Sequence, residues 1–154
     1  GCTIALKAPA HITLIPPFWL ENESEIQLLH IFHAFTSDMQ SIPIRLNGFD
    51  HFSSKVLYVN VENNPALDEL KLQAENYFIS AFTKVIRKEG RAFRPHITIA
   101  TRDMPPPAFY KAWKHFSVQN FTYSFIANTI TLLKLSPGKW NIIAERNWER
   151  KNPG

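Results

Sequence analysis

Two short segments decide how this chain is read. Residues 93–102 run Phe93-Arg94-Pro95-His96-Ile97-Thr98-Ile99-Ala100-Thr101-Arg102, and residues 9–18 run Pro9-Ala10-His11-Ile12-Thr13-Leu14-Ile15-Pro16-Pro17-Phe18. Both hold His-Ile-Thr followed by Leu or Ile, and the histidines lie 85 positions apart. Pro95 pushes Arg94 into extended backbone, so His96 to Ala100 reads as a strand. Ala10 to Ile15 reads as another, stopped by Pro16-Pro17 because proline cannot sustain a ladder. In a strand, residues two apart share a face. His11 and Thr13 then project together, as do His96 and Thr98, while Ile12, Leu14, Ile97 and Ile99 turn the other way into a core. One His-x-Thr alone is an ordinary strand histidine beside a threonine. Two copies with the same apolar interleaving form a pattern, and a cleft between two lobes is the natural place for the polar pairs.

These residue types suit phosphodiester chemistry. Two hydroxyls can donate to the non-bridging oxygens. One imidazole can take a proton from attacking water while the other gives a proton to the leaving oxygen, and a reference pKa of about 6.5 suits histidine to both tasks. The scheme needs no metal and no cofactor.

Outward from the motifs, Thr3 to Leu6 could form a short strand. Asn22 or Ser24 caps a helix to about Ser37, with Leu28, Leu29, Phe32 and Phe35 at helical spacing. Pro43 to Leu46 and Lys55 to Val61 read as strands, with Asn47-Gly48 as a turn. Asn64-Pro65 opens a long helix to about Lys88, closed by Gly90. Pro105-Pro106-Pro107 starts a helix to about Phe116. Strands follow over Phe121 to Ile126, Thr129 to Leu135 and Trp140 to Glu145, the last two joined at Pro137-Gly138. Helices mixed with antiparallel strands argue an α+β class. No Gly/Ser-rich linker divides the 154 residues, so residues 1–154 are expected to form one domain of two lobes.

Composition bounds the rest. The apolar fraction is 45%, the charged fraction 19% and the net charge +4, which is compatible with an anionic ligand. No apolar run reaches the roughly 18 residues of a membrane span, and nothing reads as a secretory leader. Cys2, the only cysteine, offers neither an intrachain disulfide nor a zinc site by itself. A cytoplasmic monomer is the default expectation. Walker, dinucleotide-glycine, His-Glu-x-x-His and Gly-x-Ser-x-Gly patterns are absent.

Other residues carry weaker signals. Lys84, Arg87, Lys88, Arg91 and Arg94 concentrate positive charge ahead of the second motif, either as an anion-binding run or as a solvated helix end. Phe18, Trp19, Phe49 and Phe93 flank motifs or turns and either pack or stack on bases, where stacking contributes about 1–3 kcal/mol per base. Arg94 and Arg102 could reach a second phosphate or pair at the surface; Lys7 and Lys134 are weaker versions of the same idea. His30 and His33 share a helix face without further ligands in a metal pattern. His51 is expected in solvent, and His115 at a helix end.

Residues 93–102, Pro17-Phe18 after the first motif, Asn47-Gly48-Phe49 with Val56-Leu57-Tyr58-Val59, and Ile130 to Ser136 with Trp140 together resemble the 2H (two-histidine) phosphoesterase superfamily. The likeness is to its bacterial 2'-5' RNA ligase-like and RNA 2',3'-cyclic phosphodiesterase-like proteins. It implies a two-lobed fold of pseudo-twofold duplicated antiparallel sheets, with outer helices and a central cleft. A strand and helix would precede the first motif; with ten residues ahead of His11, that element is expected to be missing. The resemblance makes His11 and His96 the catalytic pair and Thr13 and Thr98 the phosphate-binding pair. Phe18, Phe93, Arg94 and Arg102 become candidate substrate contacts. The implied activity is hydrolysis of 2',3'-cyclic phosphates or 2'-5' linked RNA or nucleotides, with RNA ends or cyclic nucleotides as substrate. Binding of RNA ends without turnover is the alternative. His11 is read as acid and His96 as base, though the near-symmetry of the motifs leaves the reverse open.

Overall fold

The computed structural model describes residues 7–35 and 41–148; Cys2 and the expected strand over Thr3 to Leu6 lie outside them. A 3-10 turn at Asn22–Ser24 leads into α1 (Glu25–Ala34), followed by β1 (Ile42–Phe52), β2 (Val56–Val61) and α2 (Pro65–Ala81). Then come β3 (His96–Ala100), α3 (Pro106–Phe116), β4 (Thr122–Ala127), β5 (Thr129–Ser136) and β6 (Lys139–Asn147). Four strands pair antiparallel in the order β3-β2-β1-β4, and β5 pairs with β6 in a second sheet. The class is α+β, as expected. The duplication is unequal among the described residues, with four strands in one sheet and two in the other.

Alternation on β1 shows how the core forms. Ile42, Ile44 and Leu46 are buried while Pro43 and Arg45 are exposed, the period of a half-buried strand. Val59 and Val61 of β2 join them, and α1 and α2 cover that face with Leu28, Phe32, Leu67, Leu70, Ala74 and Phe78. A smaller core forms where Phe109 of α3 meets Leu57, Ala100 and Met104.

Three expectations need correction here. Asn47-Gly48 is a bulge inside β1, where the register with β2 jumps between Leu46 and Phe49. Gly48 takes φ +74° there, and its N–H bonds to the Phe121 carbonyl at 2.8 Å. Bulges and tight turns both call for positive φ, so the dipeptide alone does not separate them. The true β1–β2 turn lies at Ser53, with φ 49°. Second, α2 stops at Ala81 instead of Lys88. Its start is as expected: the Asn64 side chain accepts from the Leu67 N–H at 3.1 Å, with Pro65 in the first turn. At its end the chain turns so that Phe82 and Ile86 both enter the core, and burial overrides helix propensity. The basic run therefore sits on an irregular connection and not at a helix end. Third, Ala10 to Ile15 is not a strand. Among the described residues no ladder reaches it, and Pro9, Pro16 and Pro17 remove donors around it. It docks through Ile12, Leu14 and Ile15 instead.

The β5–β6 hairpin lies along α1. Lys134 of β5 pairs with Glu25 in the first turn of α1 at 2.5 Å. Arg146 of β6 donates to the His33 carbonyl at 2.5 Å and to the Phe35 carbonyl, satisfying acceptors at the other end of that helix. Lys134, read as a weak phosphate contact, is thus engaged by a carboxylate. No helix among the described residues is long and apolar enough to cross a membrane.

Candidate active site

The second motif occupies β3, at the edge of the four-stranded sheet. Its partner across the ladder is β2, with Asn60 opposite His96, Val59 opposite Ile97 and Tyr58 opposite Thr98. His96, Thr98, Tyr58 and Asn60 consequently share one face, and Ile97 and Ile99 pack into the main core on the other. The His96 ring is held on two sides. Phe52 meets it edge-on at 4.9 Å, Tyr58 lies at 4.9 Å with a 50° tilt, and Phe52 and Tyr58 stack at 4.4 Å.

His96 Nδ1 lies 2.7 Å from the Arg94 carbonyl oxygen. A carbonyl only accepts, so the ring nitrogen is the donor. That places the Nδ1 proton and leaves Nε2 for chemistry. His11 repeats the device, with Nδ1 donating to the Pro9 carbonyl at 2.6 Å. In each motif the orienting carbonyl comes from two residues upstream. His11 and Thr13 are exposed, whereas His96 and Thr98 are half-buried. Ile12 and Leu14 join Ile97 and Ile99 in one cluster, so a shared core anchors both motifs from behind.

Tyr58 is only 5% exposed. Burial pushes its phenol pKa above the usual 10.0, the Asp50 carboxylate pushes it further, and the Arg94 guanidinium opposes both. A phenol with a raised folded-state value stabilises the fold in full below the unfolded value. That contribution is lost as pH rises through the folded value, so the window lies above pH 10.0. In an ultraviolet difference titration, Tyr58→Phe is expected to delete a phenol step that lies above pH 10.0. An unchanged curve in that variant would contradict this assignment.

A cavity of about 1010 Å³ opens beside the first motif, with His11, Thr13, Phe18, Trp19, Thr131 and Lys134 among its lining residues. Phe18 packs partly into the core, while Trp19 is 91% exposed. Phe93 is engaged as well: it packs on the core, and the Lys71 ammonium lies 5.5 Å from its ring centre. Arg94 is exposed on the His96 side, close enough for its charge to act on Tyr58. Arg102 is exposed in the turn after β3. Phe49 packs between Phe116 and Phe121 at 4.8 and 5.4 Å. His51, expected in solvent, is half-buried; its ring meets Phe109 and Trp113 edge-on, and Nδ1 donates to the Ser53 carbonyl at 2.6 Å. The α3 helix supplies the aromatic wall that holds it. His30, His33 and His115 are exposed, and no three His, Cys, Asp or Glu among the described residues are grouped as metal ligands would be.

The sequence reading missed Lys71 and Glu75, which are 7% and 5% exposed. Lys71 Nζ pairs with Glu75 at 3.3 Å and Glu89 at 2.6 Å, and donates to the Leu14 carbonyl. A signal was present, because both charges fall on the apolar stripe of Leu67, Leu70, Ala74 and Phe78 and sit four residues apart. Tyr58 was legible only as a strand residue and Phe52 fell outside the expected strands; that they enclose a histidine depends on register.

A family model described as the 2'-5' RNA ligase superfamily matches residues 3–139, a span that contains both motifs. The chain belongs to the 2'-5' RNA ligase superfamily. That membership bears out the 2H phosphoesterase resemblance and makes the chain a relative of phosphoesterases. Within the superfamily, it is 28% identical over 137 residues to a Geobacillus thermodenitrificans protein named "Putative phosphoesterase", covering 87% of this chain and 75% of that one. A similarly named Geobacillus kaustophilus protein is 27% identical over the same proportions. Among solved structures, a Thermus thermophilus protein superposes with a TM-score of 0.66 at 17% identity, over 93% of this chain and 80% of the other. A structure described as a phosphoesterase gives 0.64 at 17% identity, over 92% and 78%. These two likenesses concern the fold.

Proposed function

We propose that the chain is a phosphodiesterase that uses His11 and His96 as a general acid–base pair, with Thr13 and Thr98 holding the phosphate. Its substrates are 2',3'-cyclic phosphates or 2'-5' linked RNA or nucleotides. The observation that carries this reading is the repeated device at the two histidines: each Nδ1–H is tied to a carbonyl two residues back. Each ring thereby keeps Nε2 for proton transfer; Thr98 shares the His96 face of β3, and Thr13 lines the same cavity as His11.

For a cyclic phosphate the steps are these. Water adds to phosphorus as one imidazole Nε2 removes its proton. The phosphorus–oxygen bond opposite breaks, and the other imidazolium protonates the departing ribose oxygen. The two threonine hydroxyls donate to the non-bridging oxygens, where charge accumulates. Two protons move and no oxidant, metal or cofactor is called for.

The test is incubation of the protein with the four nucleoside 2',3'-cyclic phosphates in the presence of chelator. Turnover is expected, with a bell-shaped pH–rate profile, because one histidine acts neutral and the other charged. A flat profile between about pH 5 and 8, or no product, would overturn the two-histidine reading.

A specific observation also favours a second reading. Lys84, Arg87, Lys88, Arg91 and Arg94 are exposed, and none has an ion pair among the described residues. A module that grips RNA ends without turnover would use them. Binding that falls with salt, survives loss of both histidines and yields no product would favour that reading over catalysis.

A further inference from the structure

The first motif has no ladder among the described residues, yet acid–base catalysis demands that its imidazole be fixed. One buried side chain supplies an anchor. Lys71 projects from α2 into the main core, and its ammonium donates to the Leu14 carbonyl, one residue beyond Thr13. Two carboxylates hold that ammonium: Glu75 one turn along α2 at 3.3 Å, and Glu89 at 2.6 Å from the connection ahead of the second motif. Glu75 also accepts from the Glu89 N–H at 3.4 Å. The fourth neighbour is the ring of Phe93, three residues before His96, at 5.5 Å. A single cation thus touches the segment just after one motif and two points on the segment just before the other.

We propose that Lys71 is a positioning residue that sets where the first His-x-Thr stands relative to the second, with Glu75 and Glu89 fixing the ammonium. The proposal rests on the two-histidine reading for its effect on rate, but its structural half stands without it. An apolar residue on this stripe would fill the space as well. A buried ammonium costs solvation that only well-placed partners repay, and the partner it gains here is the backbone of an otherwise unladdered motif. Its stem packs while its head reaches across, a division of labour suited to lysine.

Lys71→Met keeps the stem and deletes the charge. Steady-state kinetics and backbone amide NMR order parameters should be measured for wild type, Lys71→Met, His11→Ala and the double variant. A displacement of about 1 Å in a catalytic group costs on the order of 10²-fold, so kcat is expected to fall by about that factor, with KM changed by less than about twofold. In the His11→Ala background the same substitution is expected to cost clearly less, because one of the two groups it positions is gone. The backbone order parameters of residues 11–15 should fall from the rigid value of about 0.85 toward about 0.6 while those of β1 and β2 stay unchanged.

Glu89→Gln provides a second route if Lys71→Met does not fold, because the Glu89 side chain is 38% exposed; it should shift rate and order parameters the same way, by less. A loss that persists undiminished in His11→Ala would make Lys71 a general structural residue and overturn the proposal. So would wild-type kcat and wild-type order parameters at residues 11–15 in both folded variants. If wild type turns over no phosphodiester, the functional reading fails by itself, and the order parameters of residues 11–15 still decide whether Lys71 holds the motif.

Discussion

His11→Ala and His96→Ala are each expected to lower turnover of a 2',3'-cyclic phosphate by about 10²–10⁴-fold, the usual worth of one positioned proton-transfer group. The double variant should be little worse than the poorer single, because groups that act in one transition state do not contribute independently. Folding should survive. His11 is exposed, and His96 is half-buried at a sheet edge. On the proposed mechanism the pair divides the proton work, so substrate chemistry can tell the two apart. A phosphodiester with an aryl leaving group departs without being protonated. If His11 is the acid, His11→Ala recovers most of its rate on that substrate and His96→Ala does not. Equal losses on both substrates for both variants would remove the division of labour. Thr13→Val and Thr98→Val should each cost about 10²-fold, the scale for losing one oxyanion donor. Circular dichroism should show all four variants folded as wild type.

The second large effect concerns stability. Phe35 is 2% exposed and stacks against Tyr77 and Phe78 at 5.1 and 5.6 Å. Phe35→Ala leaves a hole between α1 and α2 and is expected to cost about 3–5 kcal/mol. Domains of this size have roughly 5–15 kcal/mol in total, so the variant should sit near its folding threshold. The thermal midpoint should drop by about 10 °C or more, and a urea midpoint should fall with an unchanged slope. A change below about 1 kcal/mol would mean that the helix pair closes over the gap.

What the sequence made legible follows from where local chemistry is decisive. The β3, β5 and β6 strands and α3 were read close to their observed limits because Pro95, Pro105 to Pro107 and Pro137-Gly138 punctuate them. The strand alternation of His96 to Ile99 also placed the second motif's polar and apolar faces correctly. Three features depended on distant partners. Asn47-Gly48 marked a positive φ, but whether the chain reverses there or bulges is settled by β2 and β4 across the sheet. The end of α2 is set by the burial of Phe82 and Ile86, which no helical period reveals. The strand expected at the first motif needed a ladder partner that no described residue supplies.

The site shows the same division. The repeat singles out the two histidines and two threonines of the proposed site, whereas the residues that support them leave no such signal. Phe52 and Tyr58 enclose His96 through cross-strand register. Lys71 reaches Leu14 across 57 positions and Arg146 reaches Phe35 across 111. Separations of that length leave no imprint on local pattern, although two opposite charges on a greasy helix stripe were a visible hint.

The attachment of the β5–β6 hairpin to α1 has a mechanical consequence. Its two fastenings differ in kind: Lys134 and Glu25 meet where both side chains are 45% and 35% exposed, while Arg146 grips a part-buried backbone oxygen of Phe35. Dissolved ions weaken exposed charge pairs far more than sheltered ones. Added salt is therefore expected to weaken the Lys134 fastening before the Arg146 one. Lys134 and Thr131 border the cavity beside His11, so the salt-sensitive fastening is the one that adjoins it.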